Sequence, residues 1–302
     1  MEKFNNSRRQ FIKTAGLSVA AISLTGFEFF NEKAYVPNIG IQLYSVRKLI
    51  EKDFEGTMKK IADLGYIGVE TYPLPESITL QRAAGIFKNV GLKVIGIHSE
   101  LPVGAQRDKA LRMAEAYNCN NIVYPGGGLE GDRYKNLDAI KHTMEIYNET
   151  ASILKSKGIR FGLHNHWPEF ELTDGYYPFY YLLEHLNKEI FFEIDTYWAK
   201  TAGQNPAKVL KIFGKRAPFL HIKDGPAIKG DEANKQVPAG QGIMDFPSIV
   251  KAGGTNIKWM IVEFDEYSGD IIDGIKSSYE FLTENKLAKG KLSALLHKGE
   301  SK

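Results

Sequence analysis

Polar side chains follow four apolar, strand-like runs in the C-terminal half of the chain. The runs span residues 159–166, 190–195, 219–224 and 258–263, and each leads to a hydrophilic group. Parallel strands of an α/β protein bring their carboxyl ends to one side of the sheet, so four such endings in succession predict a shared site. The side chains expected to meet there are Glu169, Asp195, His221 and Glu263.

These side chains offer carboxylate oxygens and an imidazole nitrogen, which are typical ligands of one divalent cation. Hard carboxylates with a histidine suit Mn²⁺, Mg²⁺ or Zn²⁺ and fit poorly with a metal that thiolates select. The segment HNHWPEF (residues 164–170) leaves the fourth ligand open between a histidine and Glu169. Glu169 is favoured because an anionic oxygen suits a hard cation. His164 and His166 would then bind substrate hydroxyls.

Other polar and aromatic residues near predicted strand ends would complete the site. Lys223 shares a strand face with His221, and it would either stabilise a developing oxyanion or pair with Asp224. Trp198, shortly after Asp195, would form the floor of a sugar-sized pocket or belong to the core. The substrate-binding positions expected in the first half of the chain are Gln42, Tyr44, Glu70 and His98.

Strand-like and helical segments alternate eight times between residues 35 and 286. Residues 93–98, for example, read as a strand, and residues 107–117 read as the helix that follows. This alternation predicts an α/β fold, a single-domain (β/α)₈ TIM barrel, with an open doubly wound sheet as the alternative. The open sheet would leave edge strands and would not bring the polar endings to one point. Residues 287–302 are short and basic and are expected to form a tail outside the barrel.

The first 34 residues have the layout of an export signal. Arg8, Arg9 and Phe11 precede a mildly apolar run over residues 15–30, and the arginine pair resembles a twin-arginine signal. The run contains Glu28 and several glycines and serines, so it is too polar for a lasting membrane span. We therefore expect an exported, periplasmic protein. An amphipathic helix with a chance arginine pair is the alternative.

Composition disfavours several classes of protein. The 302 residues include 39 basic and 36 acidic side chains, and the net charge of +3 gives no electrostatic basis for binding nucleic acid. The single cysteine, Cys119, excludes a disulfide within the chain and a metal site of several cysteines. A hydrophobic content of 43% supports one large core, and the composition is compatible with a homo-oligomer.

Five motifs resemble, in the same order, those of the sugar phosphate isomerase/epimerase family of xylose isomerase-like barrels. They are HNHWPEF, EIDTYWAKTAG, FLHIKDG, GQGIMDF and IVEFDE, and the resemblance covers about residues 39–282. It implies a TIM barrel, one divalent metal ion and a polyol, ketose or keto-glycoside substrate. The family's metal positions fall on Asp195, His221 and Glu263, and the fourth falls on either His164 or Glu169. Gln241 stands where many relatives carry an acid.

The resemblance implies an enzyme that isomerises or epimerises a sugar through an enediolate. A cation that chelates a carbonyl and the adjacent hydroxyl acidifies the C–H between them, and Glu169 and Glu263 are the candidates to transfer the proton. A leaving group β to the carbonyl, as in a 3-keto-glycoside, would turn the same site into a lyase or dehydratase. Because phosphorylated sugars are mainly cytosolic, an exported member is expected to use a free sugar or a keto-glycoside.

Two readings of other classes remain alongside this one. The first is a non-catalytic carbohydrate-binding barrel, which would bind a ligand without turnover. The second is an apurinic-site endonuclease, which the near-neutral charge and the export signal disfavour.

Overall fold

Eight parallel strands form a closed barrel in the computed structural model, which describes residues 35–126 and 131–291. Each strand pairs with its neighbours in sequence, and β8 pairs with β1 to close the ring. The predicted (β/α)₈ barrel is therefore confirmed. The strands are β1 Asn38–Gln42, β2 Gly68–Thr71, β3 Lys93–His98, β4 Asn121–Tyr124, β5 Arg160–His164, β6 Phe191–Asp195, β7 Phe219–Ile222 and β8 Trp259–Val262.

Helices connect successive strands, and their ends follow local sequence signals. The side chain of Thr79 accepts a hydrogen bond from the backbone N–H of Arg82 at the start of α3, and Gly91, with a φ of 78°, ends that helix. The helices are α1 Arg47–Ile50, α2 Phe54–Asp63, α3 Leu80–Val90, α4 Gly104–Tyr117, α5 Leu137–Lys155, α6 Pro178–His185, α7 Thr196–Thr201, α8 Pro206–Phe213, α9 Phe246–Gly253 and α10 Ile271–Glu284.

Apolar side chains pack against both faces of the barrel sheet, outside and inside the barrel. The larger core lies between the strands and the helices, and a smaller cluster with Phe191, Phe219 and Ile261 fills the barrel interior. The rings of Phe191 and Phe219 meet edge to face, with centroids 5.3 Å apart. Side chains alternate along a strand, so Glu193 and Asp195 follow Phe191 on the same face. Polar groups therefore lie above an apolar floor.

Ordered structure continues past residue 286, where the basic tail was predicted to begin. Leu287 and Ala288 are buried, and the backbone N–H of Lys289 donates to the carbonyl of Pro37. The backbone N–H of Ile39 donates in turn to the carbonyl of Lys289, so this segment bonds to the start of β1. The rest of the predicted tail, residues 292–302, lies outside the described residues.

The predicted export signal, residues 1–34, also lies outside the described residues. Within residues 35–126 and 131–291, no helix has both the length and the apolar character that crossing a membrane requires.

Candidate functional site

A cavity of about 590 Å³ opens at the carboxyl ends of the strands. Its lining combines titratable groups with aromatic rings. The indoles of Trp167 and Trp198 lie with centroids 5.2 Å apart, and Tyr44 meets Tyr72 edge to face at 5.8 Å. The sequence-predicted site residues that line the cavity are Tyr44, His98, His164, His166, Trp198, Lys223 and Glu263.

Four residues from consecutive strands form what we call the rim group: His164, Asp195, His221 and Glu263. Each offers one ligand atom, and these atoms lie within 4.8 Å of one another. His164 and Asp195 are the last residues of β5 and β6, His221 lies in β7, and Glu263 directly follows β8. Nδ1 of His221 lies 2.6 Å from Oε2 of Glu263. Three of the four predicted metal ligands thus meet, and His164 completes the group.

Lys223 holds three carboxylates together beside the rim group. Its Nζ lies 2.8 Å from Glu263, 2.7 Å from Asp265 and 3.1 Å from Asp195. Burial lowers the pKa of Lys223, but Asp195 and the other two acids outweigh it and raise the pKa well above its usual value. Lys223 is therefore charged, and it pairs with these three acids rather than with Asp224. Asp224 instead accepts hydrogen bonds from four backbone N–H groups: those of Gly225, Gly240, Gly242 and Met244.

A second set of titratable groups, which we call the deep cluster, lies closer to the apolar floor and consists of Glu70, His98 and Glu193. Nε2 of His98 is 2.7 Å from Oε2 of Glu193 and 3.1 Å from Oε2 of Glu70. Nε2 of His221 is 2.7 Å from Glu70 and 3.1 Å from Glu193. The imidazole of His221 therefore bridges the deep cluster and the rim group. His98, His164, Glu193 and His221 also form a second set whose ligand atoms lie within 4.8 Å of one another.

Burial and neighbouring charges set the protonation of these groups. Burial lowers the pKa of His98, but Glu70 and Glu193 outweigh it and raise the pKa to about 10. Burial also acts against charge on His221, yet Glu193 and Glu263 raise the pKa of that ring well above its usual value. Conversely, His221 and His98 overcome burial and hold the pKa of Glu193 well below its usual value. Carboxylate and imidazolium charges thus compensate one another inside the barrel.

Two neighbouring histidines that line the cavity, His164 and His166, are neutral. Burial and the charge on His221 hold the pKa of His164 well below its usual value. Burial and Lys223 lower the pKa of His166 to about 4. Nδ1 of His166 is buried and makes no hydrogen bond among the described residues. His166 therefore presents an unused polar atom next to the cavity, in which it was expected to bind substrate.

Glu169 does not belong to the rim group, although the sequence favoured it as the fourth ligand. Strand β5 ends at His164, and the chain then turns into a 3₁₀ helix over Pro168–Phe170. This turn folds Oε2 of Glu169 back onto the backbone N–H of His166, 3.0 Å away. Burial raises the pKa of Glu169 to about 8, so at neutral pH the group is mainly protonated. The structure thus places His164, and not Glu169, beside the other three ligands.

The remaining predicted substrate residues occupy different positions. Strand β1 ends at Gln42, and the next residues form a 3₁₀ helix over Leu43–Val46. Tyr44 is consequently not on the strand, but its ring is partly exposed and lines the cavity. Gln42 is fully buried, and its Nε2 donates to Oε2 of Glu70 at 2.9 Å. Trp198 is almost completely buried and still contributes to the cavity wall.

Sequence reasoning missed two acids of the site, Glu193 and Asp265. Glu193 shares the inner strand face with Asp195, and this alternation was the available signal. Asp265 follows Glu263 by two residues and lies outside the predicted strand. Its Oδ2 instead contacts Lys223 and accepts from Nε2 of Gln236 at 2.9 Å. No local sequence pattern predicts the contact between Asp265 and Gln236.

The residues of the rim group fit a divalent cation. Two imidazoles and two carboxylates form a mixed nitrogen and oxygen ligand set, which suits Zn²⁺ or Mn²⁺. Oδ2 of Asp195 is buried without a hydrogen bond among the described residues, although Nζ of Lys223 is near. Oε1 of Glu193 and Oε1 of Glu70 are likewise buried and unpartnered. Buried anionic oxygens are costly unless a cation or hydrogen bonds compensate them, so this excess of acceptors favours a bound cation.

Comparison with known proteins places this site in a familiar fold. A family model described as xylose isomerase-like TIM barrel matches residues 58–285. A sugar phosphate isomerase/epimerase from Parabacteroides distasonis superposes with a TM-score of 0.70 at 23% identity, over 85% of this chain and 96% of that chain. An L-ribulose 3-epimerase superposes with a TM-score of 0.64 at 15% identity, over 88% of this chain and 99% of that chain.

A third solved structure, the IOLI protein with a bound zinc atom, has a TM-score of 0.63 at 13% identity and covers 83% of this chain and 98% of its own. At these identities the likeness demonstrates a common fold. Among curated proteins, no significant match is found.

Proposed function

The chain belongs to the family of xylose isomerase-like TIM barrels, and from that premise we propose that it is a divalent-metal-dependent sugar isomerase or epimerase. One observation carries the proposal: His164, Asp195, His221 and Glu263 present ligand atoms within 4.8 Å of one another. Of these, His164 and Glu263 line a cavity of about 590 Å³, a volume suited to a small ligand. Solved structures with a similar fold include a sugar phosphate isomerase/epimerase and an L-ribulose 3-epimerase.

The rim group would hold the cation, and its member Glu263 would also transfer the proton. A divalent ion at this position supplies Lewis acidity that makes a C–H next to a carbonyl more acidic. Burial raises the pKa of Glu263, but Lys223 and His221 outweigh it and hold the pKa well below its usual value. Glu263 is therefore an ionised carboxylate on the cavity wall and our candidate for the base. Lys223 would stabilise negative charge that develops on the substrate oxygen.

The cavity lining offers a second group for proton transfer or hydrogen bonding, His166. The ring of His166 is neutral and lines the cavity, where it would bind a sugar hydroxyl. We assign this role to His166 rather than to Glu169, whose carboxyl group is bound to the backbone and does not line the cavity.

Aromatic residues on the cavity wall support a carbohydrate as substrate. The cavity lining includes Trp167, Trp198, Tyr44 and Tyr72, which offer apolar faces to the C–H groups of a sugar ring. The cavity is large enough to extend beyond one sugar ring. This size favours, as a second candidate, lyase or dehydratase activity on a 3-keto-glycoside at the same site.

We further propose that the protein is exported, because of the arginine pair at Arg8 and Arg9.

Two experiments test the proposed function: removal of the metal ion, and substitution of Glu263. Wild-type protein incubated with a panel of free sugars and 3-keto-glycosides in D₂O should incorporate deuterium at carbon, as measured by NMR. Chelation should abolish this exchange, and Mn²⁺ or Zn²⁺ should restore it. Release of the aglycone together with exchange would identify the lyase, whereas exchange without release would identify the isomerase or epimerase.

Glu263→Gln should lower the exchange rate by about 10²- to 10⁴-fold while retaining sugar binding, because it removes a proton-transferring group. Glu266→Gln is the matched control, since it removes an exposed acid three residues away that pairs with Arg47. Exchange that persists in metal-free protein, or in Glu263→Gln at the wild-type rate, would contradict the proposal. Binding of sugars without any exchange would favour a non-catalytic carbohydrate-binding barrel.

A further inference from the structure

The two histidines of the rim group contact the deep cluster through different ring nitrogens. His221 directs Nδ1 towards Glu263, at 2.6 Å, and Nε2 towards Glu70 and Glu193, at 2.7 and 3.1 Å. His164 directs Nδ1 towards Oε2 of Glu193, at 3.1 Å. No hydrogen bond among the described residues uses Nε2 of His164. The nitrogen facing the deep carboxylates is therefore Nε2 in one ring and Nδ1 in the other.

A neutral imidazole has one proton, and this restricts what each ring can do. The nitrogen that carries the proton donates a hydrogen bond, and only the other nitrogen can bind a metal ion. An ionised carboxylate can only accept, so a ring nitrogen that faces it carries the proton. Both nitrogens of His221 face carboxylates, so an ion that Glu263 binds would replace the proton on Nδ1 and leave the proton on Nε2, which faces Glu70 and Glu193. His164 faces Glu193 through Nδ1, so it would be protonated on Nδ1 and offer Nε2. Nδ1 of His221 faces Glu263 of the rim group, and Nε2 of His164 is the nitrogen that does not face Glu193.

The same reasoning disfavours a second ion in the deep cluster. That position would need Nε2 of His221 and Nδ1 of His164 without protons, next to Glu193. Both rings would then lose the N–H groups that donate hydrogen bonds to the carboxylates. Both sets of possible ligands include His164 and His221, so an ion at one position excludes an ion at the other.

We propose that Glu193, together with Glu70, is a positioning residue that fixes opposite tautomers of the two histidine ligands and so directs the metal ion to the rim group. The inference rests on the proposed metal-binding role of that group. Glu193 contacts three imidazoles, those of His98, His164 and His221, and is completely buried. Carboxylates that hold the second nitrogen of a metal-bound histidine set its tautomer and orientation in this way.

The tautomers can be observed directly in wild-type protein. Protein labelled with ¹⁵N-histidine and loaded with Zn²⁺ should show, in long-range ¹H–¹⁵N correlation spectra, one buried ring with a protonated Nδ1 and one with a protonated Nε2. His164→Ala and His221→Ala would assign the two signals. The same tautomer in both rings, or a spectrum in which neither ring binds Zn²⁺ on the rim side, would overturn the proposal.

Metal affinity, measured by competition with a chelator, provides a second test that needs no turnover. Glu193→Gln should weaken Zn²⁺ binding by about 10- to 100-fold, because the amide can accept from one ring but turns its N–H towards another. Glu70→Gln should also weaken Zn²⁺ binding, through its contact with His221. It replaces Glu193→Gln in the test if that variant does not fold. Glu100→Gln, which removes an exposed acid beside the cavity, is the control for charge alone.

The outcomes separate this inference from the proposed function. Unchanged affinity in folded Glu193→Gln and Glu70→Gln would overturn the positioning role. Zn²⁺ binding that survives Asp195→Asn undiminished would instead remove the rim group as the metal site and, with it, the proposed function.

Discussion

Two buried glutamates at this site differ in charge because their neighbours differ. Glu263 lies against Lys223 and His221, and these cations keep it ionised despite burial. Glu169 has only backbone hydrogen bonds to oppose burial, which raises its pKa from 4.5 to about 8. Residue type and burial are alike in both cases, so the adjacent cation decides which carboxyl group can act as a base at neutral pH.

The raised pKa of Glu169 predicts a loss of stability with increasing pH. Between about 4.5 and about 8 the folded protein binds a proton at this group and the unfolded chain does not, so the free energy of unfolding should fall as pH rises through this window and level off above it. Glu169→Gln should remove this contribution, because glutamine resembles the protonated acid. Denaturant unfolding of both proteins from pH 4 to 9 measures it.

The difference between the two unfolding curves isolates Glu169, since all other groups titrate in both proteins. Its slope should not exceed about 1.4 kcal/mol per pH unit, the value for one proton. Parallel curves would mean that Glu169 is ionised in the folded protein.

At the level of elements, the pairing of β2 with β3 leaves space for the side chain of Glu70, a member of the deep cluster. The register shifts between Val69 and Glu70, and Glu70 lies opposite Gly96. A Cβ atom built on Gly96 would lie 2.3 Å from Oε1 of Glu70, well inside contact distance. Glu70 is fully buried and held by Gln42 and His221, so it has little freedom to move away. The glycine is required by the neighbouring carboxylate and not by its own φ angle.

Gly96→Ala should therefore displace Glu70 and lower the free energy of unfolding by about 1 to 3 kcal/mol. It should also weaken metal binding in the same direction as Glu70→Gln. Gly85→Ala is the matched control, because Gly85 lies within α3 with nothing near its added methyl group, and alanine there should stabilise the helix by up to about 1 kcal/mol. Denaturant unfolding and metal titration of both variants test this. Equal effects of the two substitutions would exclude a role for the close contact.

For the whole molecule, closure of the barrel is what assembles the site. The rim group and the deep cluster draw on β2, β3, β5, β6 and β7 and on the residue that follows β8, and contacts such as that of His221 with Glu70 join residues 151 positions apart. Barrel strands all point the same way, so their carboxyl ends meet around one axis. A protein whose site depends on complete closure is suited to export in the folded state, which is the route that twin-arginine signals serve.

Replacement of Arg8 and Arg9 by lysine should keep the protein in the cytoplasm. We expect wild-type protein in the periplasmic fraction of the host and the double variant, Arg8→Lys with Arg9→Lys, among cytoplasmic proteins at full length. Lys3→Arg with Lys13→Arg is the control, because it leaves the arginine pair and the net charge intact. Immunoblots of cell fractions measure the distribution, and a periplasmic double variant would contradict a twin-arginine signal.

Periodicity and residue type were sufficient to predict much of this protein. Eight alternating strand and helix signals predicted the barrel, and polar residues after apolar runs predicted that Asp195, His221 and Glu263 lie at its carboxyl end. Both predictions rest on local patterns, because strand direction and the alternation of side chains follow from a few neighbouring residues.

Only the tertiary structure decided which groups touch. It placed His164 beside the other predicted ligands and turned Glu169 away, since β5 ends two residues earlier than the sequence suggested. It also brought Glu193 under both histidines and Asp265 against Lys223. Such contacts depend on register, on where each strand stops and on distances across the closed barrel. These quantities arise from packing among residues far apart in the chain, so no single segment of sequence contains them.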